Sequence, residues 1–140
     1  MFKTAVILTL MAVFVNQANA ESAIHIKIND VPASVEWEDN ESVKALTKNL
    51  PITIKMHMYG GFEQVGSLGR SLPKNDKRIT TKPGDIVLYS GNQIVIFYGS
   101  NTWAYTKLGR ITGKTQSELT DLLGKSDTLL VEIFTADAAF

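Results

Sequence analysis

Short segments in which apolar and polar residues alternate constrain the fold of this chain more than any other feature. The segment "AIHIKI" at 23–28 places its three isoleucines on one face, and "ASVEW" at 33–37 repeats the pattern. Alternation with a period of two is typical of a strand buried on one side. Asn29 and Asp30 lie between these segments, and both residue types favour tight turns. The sequence therefore predicts a β-hairpin at its start.

Further strands are predicted at 52–59, 86–89, 93–98, 102–107 and 128–134. The connections "SGN" and "GSN" join the three central segments into a meander, because they offer Gly or Asn where a tight turn needs a positive φ. The segment "QIVIFY" is apolar at nearly every position. Such a strand is expected to be covered on both faces.

Two short helices interrupt the strands. The first follows Asp39 or Asn40, either of which can cap it, and Pro51 stops it. The second lies within 115–124, where Thr115 and Glu118 match a capping box and Gly124 lies at the C-terminal end.

The segment 62–82 is rich in Gly, Pro and cations, and it is expected to form a long irregular surface loop held by Leu68 and Leu72. With roughly seven or eight short strands in so small a chain, closure into a barrel is favoured, since closure removes exposed sheet edges. The predicted fold class is mainly β, a small closed β-barrel with two short α-helices.

The first twenty residues have the pattern of a signal peptide. Lys3 precedes an apolar run at 5–15, and "NQANA" ends in the small-x-small motif that signal peptidase accepts. The run is shorter than the ~20 residues that span a bilayer, so no membrane anchor is expected. We predict cleavage after Ala20, a single domain at 21–140, and a periplasmic or secreted protein.

Composition removes several classes of chemistry. The chain has no cysteine, which excludes thiol nucleophiles, disulfides and thiolate metal sites. Its formal net charge is +0, and cleavage would remove Lys3, so no global field favours nucleic acid or an anionic membrane. The sequence does not determine the oligomeric state. It predicts no catalytic residue, metal site or cofactor.

Aromatic residues concentrate between 85 and 111, where Trp103 and Tyr105 share one face of a predicted strand. They serve either as packing in the barrel wall or as contacts to a small-molecule or peptide ligand. We expect both at the barrel mouth, because a turn at 99–101 precedes them.

Further ligand-binding candidates are weaker: Tyr98, Tyr59, His57 and Arg70. His25 and His57 are the only histidines, and no local spacing supplies them with further metal ligands. The cations between 74 and 82 are interrupted by Asp76, which favours a solvated face over an anion or lipid site.

Three segments together resemble the bacterial cyclophilin-like domain family. They are "GDIVLYSGNQIVIFYGSNTWAYTKLGRI" at 84–111, "SLP" at 71–73, and the opening "IHIKIND...SVEWEDNESVKALTKNLPITIKM". The resemblance extends from about Ile24 to Phe134. It implies a cyclophilin-type β-barrel, often exported, whose biochemical role is largely unassigned.

True cyclophilins share this architecture and isomerise prolyl bonds. Their "FHR" and "QGGD" segments have no counterpart here, since "GGFEQVG" at 60–66 shares only glycines and Arg70 has no matching neighbours. Because fold alone does not carry activity, we favour a non-catalytic binding module for a small ligand or an extended peptide. A prolyl isomerase with a rebuilt site is the alternative.

Overall fold

The computed structural model describes residues 23–135, and the predicted signal peptide lies outside them. Within this range there are nine strands and two helices. The helices are α1 (Glu41–Thr47) and α2 (Gln116–Leu123). The strands are β1 (Ile24–Ile28), β2 (Val31–Trp37), β3 (Ile52–Tyr59), β4 (Glu63–Ser67), β5 (Lys77–Thr80), β6 (Asp85–Tyr89), β7 (Gln93–Phe97), β8 (Thr102–Thr112) and β9 (Thr128–Thr135).

Eight of these strands close into an antiparallel barrel, which confirms the predicted fold class. The order around the ring is β2-β1-β9-β3-β4-β7-β6-β8, and β8 returns to β2 through the register pair Val35 and Ile111. Closure leaves no edge in the ring itself. The fifth strand, β5, lies outside the ring and pairs only with the first part of β8.

Strand β8 has two different roles along its length. Thr102–Tyr105 pairs with β5 beyond the ring, and the later residues pair with β6 and β2 within it. The sequence predicted a strand that ended at Lys107, whereas β8 continues to Thr112. The first part of β8 is therefore a strand extension on which side chains can project outside the barrel.

The barrel encloses an interior core that is mainly aliphatic. Alternate residues of the ring strands point inward, as Ile54 and Met56 do on β3 and Ile94 and Ile96 do on β7, all of them buried. Residues of both helices complete this core, including Leu46 and Leu123. Neither of the two described helices has the length and hydropathy needed to cross a bilayer.

A second, smaller cluster lies on the outer face of the sheet. It consists of Val87, Val95, Phe97 and Tyr105, with Phe62, Val65, Ile79 and Tyr89 packed against it. We call this set the outer cluster. It confirms that the strand "QIVIF" is covered on both faces, because Ile94 and Ile96 face the interior core while Val95 and Phe97 face the outer cluster.

The predicted irregular loop at 62–82 was partly wrong, because it contains β4 and β5. Strand β4 was missed because it buries polar residues: the Gln64 amide donates hydrogen bonds to the carbonyl oxygens of Leu123 and Ser126, at 2.8 and 3.0 Å. Strand β5 is short and mostly exposed. The predicted anchoring by Leu72 is confirmed, since that side chain is buried.

Both helix starts follow the sequence signals. The Asn40 side chain caps α1 by accepting from the Val43 N–H at 2.9 Å, which selects Asn40 over Asp39. The capping box of Thr115 and Glu118 is present at α2. These caps satisfy N–H groups that a helix start leaves without partners.

The turn at 99–101 uses glycine for a different reason from the one expected. Gly99 does not have a positive φ. A Cβ atom at this position would lie 2.7 Å from the Cβ of Phe62. The turn therefore needs glycine because the 62–63 and 98–99 segments approach each other closely.

Candidate ligand groove

An open groove of about 360 Å³ lies on the outer face of the sheet, beside the outer cluster. Its walls are aromatic, and its polar groups are one carboxyl, two side-chain amides, tyrosine hydroxyls and the indole N–H of Trp103. The lining residues are Tyr59, Glu63, Val65, Tyr89, Gln93, Asn101, Trp103 and Tyr105. We call this site the aromatic groove.

Strand register explains why these residues meet. Tyr59 on β3, Glu63 on β4 and Phe97 on β7 are direct partners in neighbouring strands, so their side chains form one row on the same face. On β8, Trp103 and Tyr105 alternate with Ala104, so both project to the groove side of the extension.

Tyr105 forms a fixed wall of the groove. It is buried, and its ring packs edge-on against Phe97 and Tyr89 at centroid distances of 5.6 and 6.1 Å. Its hydroxyl oxygen accepts a hydrogen bond from the Asn101 amide at 2.8 Å. Because ring and hydroxyl are both held, this wall exists before any ligand arrives.

The rims of the groove are exposed aromatic side chains. Tyr59 is 68% exposed and Trp103 is 52% exposed, and the strand order places them on opposite sides of β4 and β7. Large aromatic groups on the surface are a recurrent feature of binding sites, because they offer apolar area with few rotatable bonds.

Glu63 provides the one carboxyl of the groove. It is only 6% exposed, and no hydrogen bond or ion pair within residues 23–135 reaches its carboxylate oxygens. Burial disfavours the charged form and raises the pKa of Glu63 from 4.5 to about 7. This carboxyl therefore changes charge near neutral pH.

The nearby phenols respond to the same environment. Burial raises the pKa of Tyr105, and the negative charge of Glu63 raises it further, while the Asn101 hydrogen bond lowers it. Burial and the charge of Glu63 also raise the pKa of Tyr98. Both phenols are therefore neutral over the range in which Glu63 titrates.

Three of the six predicted ligand-binding residues line the groove, namely Trp103, Tyr105 and Tyr59. We expected Trp103 and Tyr105 at the barrel mouth, and this position was wrong. They lie on the outer face, because the first part of β8 runs past the ring to pair with β5.

The other three candidates lie elsewhere. Tyr98 points into the interior core, where it packs close to Gly124. His57 is exposed on β3 and does not line the groove. Arg70 is also exposed, and its guanidinium donates a hydrogen bond to the side-chain oxygen of Asn49, beyond the end of α1. None of the three is a groove residue.

Five lining residues were not predicted from the sequence: Glu63, Val65, Tyr89, Gln93 and Asn101. A signal for Glu63 was present: Gly60 and Gly61 both have positive φ and form the turn that pairs β3 with β4. A Gly-Gly turn after a strand predicts a hairpin, and that hairpin places Glu63 opposite Tyr59. Among the described residues, no three His, Asp or Glu side chains are placed to hold a metal ion.

Comparison with known proteins identifies the family of this chain. A model of the cyclophilin-like family matches residues 26–133, so this chain belongs to that family. Comparison with curated protein sequences found no match.

A solved structure described as McbB in complex with tryptophan is similar in fold. Its TM-score is 0.61 at 11% sequence identity, and the match covers 81% of this chain and 45% of that one. The present chain thus corresponds to less than half of that protein, and the likeness is one of fold.

Proposed function

We propose that this cyclophilin-like domain is a non-catalytic binding module whose aromatic groove holds a small, flat, largely apolar ligand. The observation that carries the proposal is the combination of a fixed wall at Tyr105 with two exposed aromatic rims, Tyr59 and Trp103, around one concave space. Ligand sites are typically apolar clefts with a few convergent polar groups.

The size of the groove favours a small molecule over a long peptide. Its volume of about 360 Å³ lies at the lower end of the range for small-molecule sites. Stacking between the two rims would cover apolar surface that water now contacts. Gln93 and Asn101 would orient the ligand through their amides.

Fluorescence of Trp103 tests this proposal. Trp37→Phe leaves Trp103 as the only tryptophan within residues 21–140. We expect a saturable emission change on titration with flat aromatic compounds, among which tryptophan itself is included because of the similar solved structure. Trp103→Ala should abolish binding measured by calorimetry.

Leu130→Ala is the matched control, since Leu130 is 47% exposed on β9, away from the groove. It should bind as the wild type does. An emission that no compound changes, or an unchanged affinity in Trp103→Ala, would contradict the proposal. Accelerated prolyl isomerisation that Arg70→Ala abolishes would replace it with the enzymatic alternative.

We also propose that binding takes place outside the cytoplasm, on the strength of the signal-peptide pattern in the first twenty residues. The expected intact mass is that of a chain beginning at Glu21, released with periplasmic or secreted contents. A mass that retains Met1–Ala20, recovered in a membrane pellet, would contradict this.

A further inference from the structure

We propose that the ligand of the aromatic groove is an aromatic compound with a protonated amine close to its ring, and that Glu63 is its counter-ion. This inference rests on the proposed function above, and it specifies the chemistry of the ligand. It depends on the position of Glu63 between the aromatic rims and on the absence of any partner for its carboxylate within the described residues.

Asp85 is a buried carboxylate whose hydrogen-bond and ion-pair partners lie within the chain. Asp85 is 3% exposed, and its oxygens accept from the Lys82 N–H at 2.8 Å and from the Arg110 guanidinium at 2.9 Å. Lys107 lies 3.8 Å away. Glu63 is buried almost as deeply without such groups among the described residues, so its carboxylate form would be stabilised by a cation that a ligand supplies.

The groove lining supplies no such compensation. None of its residues is Lys, Arg or His. A ligand anion would meet only the charge of Glu63, which repels it. A protonated amine would form a charge-assisted hydrogen bond with Glu63 and would also be attracted to the faces of Tyr59 and Trp103.

The proposal predicts that affinity rises with pH around neutrality, since only the carboxylate form of Glu63 is a counter-ion. The titratable groups that face it are Tyr59 on β3 and Tyr105 on β8, and its charge also acts on Tyr98, which follows β7 and points into the interior core. The raised pKa values of Tyr98 and Tyr105 keep both phenols neutral while Glu63 ionises.

Further titratable groups lie on the same outer face, including Asp85 with its partners Arg110 and Lys107. His57 on β3 is the register partner of Val65, two residues from Glu63 along β4. Tyr89 on β6 lines the groove, and Lys77 on β5 is the register partner of Tyr105. His57 and Lys77 do not line the groove, so neither is placed as a direct partner of the ligand.

The test compares three probes with one naphthyl ring and different head groups: naphthylmethylamine, naphthylmethanol and naphthoate. We expect the amine to bind about tenfold or more tightly than the alcohol at about pH 8, and naphthoate to bind most weakly. Because the pKa of Glu63 is about 7, its ionised fraction rises about tenfold between pH 6 and 8, and the affinity for the amine should rise with it.

Glu63→Gln keeps the shape of the side chain and removes its charge. In this variant the amine should bind no more tightly than the alcohol, with no pH dependence. Glu63→Asp keeps the charge on a shorter side chain, and it should retain the pH dependence with weaker binding. Circular dichroism establishes that both variants are folded.

The experiment distinguishes failure of the counter-ion role of Glu63 from failure of the groove as a binding site. Equal binding of the amine and the alcohol by the wild type, or a Glu63→Gln variant that still prefers the amine, would overturn the counter-ion role while leaving the groove as a binding site. If none of the three probes changes Trp103 emission in Trp37→Phe, both this inference and the proposed groove are overturned.

Discussion

Two buried carboxylates on the outer face of the barrel have opposite surroundings. Asp85 begins β6, where a backbone N–H and the guanidinium of Arg110 occupy its oxygens. Glu63 begins β4, where its neighbours are the aromatic residues Tyr59 and Phe97. The Asp85 carboxylate links segments of the chain through its hydrogen bonds, whereas the Glu63 carboxylate lies beside aromatic side chains.

This difference separates a carboxylate whose partners lie within the chain from one that has none among the described residues. Burying a charge lowers stability unless a partner compensates it, and Asp85 has its partners within the chain. Glu63 has a raised pKa of about 7 in their absence. An uncompensated polar group in a groove is therefore a better indicator of function here than burial alone.

The largest expected effect is on Asp85. Asp85→Ala should lower the free energy of unfolding by about 2–4 kcal/mol, because the Lys82 N–H and Arg110 lose their acceptor. Urea unfolding at neutral pH measures this. Glu38→Gln, at an exposed position, is the control and should change stability little. A loss below about 0.5 kcal/mol in Asp85→Ala would show that the partners of Asp85 contribute little to stability, so that it would not differ from Glu63 in this respect.

A backbone change beside Glu63 should have the next largest effect. In Gly99→Ala the new methyl would lie 2.7 Å from the Cβ of Phe62, so one segment must move. We expect a loss of about 1–3 kcal/mol in stability together with weaker ligand binding. Gly69→Ala is not a matched control, because Gly69 has a positive φ. Ser100→Ala, in the same turn, is suitable and should be close to neutral.

Glu63→Gln is expected to stabilise the protein in a pH-dependent way. The folded-state pKa of Glu63 is raised to about 7 from 4.5, so the unfolded chain loses this proton first as pH rises. Wild-type stability therefore falls between about pH 4.5 and 7. The variant avoids this loss and should be more stable by up to about 3 kcal/mol at pH 8, with no gain at pH 4.

Thermal unfolding of both proteins across this pH range measures the effect. A Glu63→Gln variant that is destabilised at pH 8 would show that the carboxylate has stabilising partners, as Asp85 has. Equal pH profiles would show that Glu63 is well solvated in the folded state.

The smallest effect on stability is expected for Trp103→Ala, at less than about 1 kcal/mol, because half of the side chain is already exposed. Chemical denaturation measures it, with Trp37→Ala for comparison. Trp37 packs against the interior core and its indole N–H donates to the Ile24 carbonyl oxygen, so its loss should be larger. A large loss in Trp103→Ala would make it a structural residue.

The sequence predicted the barrel well because many of the residues of the interior core belong to segments in which apolar and polar residues alternate. Ile26 and Ile54 belong to alternating segments and are buried, whereas Ile94 belongs to a strand that is apolar on both faces. Capping residues and turn residues indicated where the helices and strands begin and end. These signals are local, and they report which face of a segment is apolar.

The aromatic groove was only partly predictable, because its parts are brought together by strand pairing between distant segments. Trp103, Tyr105 and Tyr59 were chosen as aromatic residues, without knowledge that β3 and β8 lie on either side of β4 and β7. Glu63 belongs to a strand with little alternation of hydropathy, so the Gly-Gly turn indicated its pairing with β3 but nothing local indicated its burial. Its environment depends on Phe97 and Tyr105, which are distant in sequence.

Carbon NMR of the Glu63 side-chain carboxyl, titrated with pH, tests most directly whether this carboxyl is buried without a partner. Assignment by comparison with Glu63→Gln identifies the signal. We expect a midpoint of about 7 in the free protein, and a lower midpoint in the presence of naphthylmethylamine. A midpoint near the ordinary value of 4.5 in the free protein, unchanged by the amine, would contradict it.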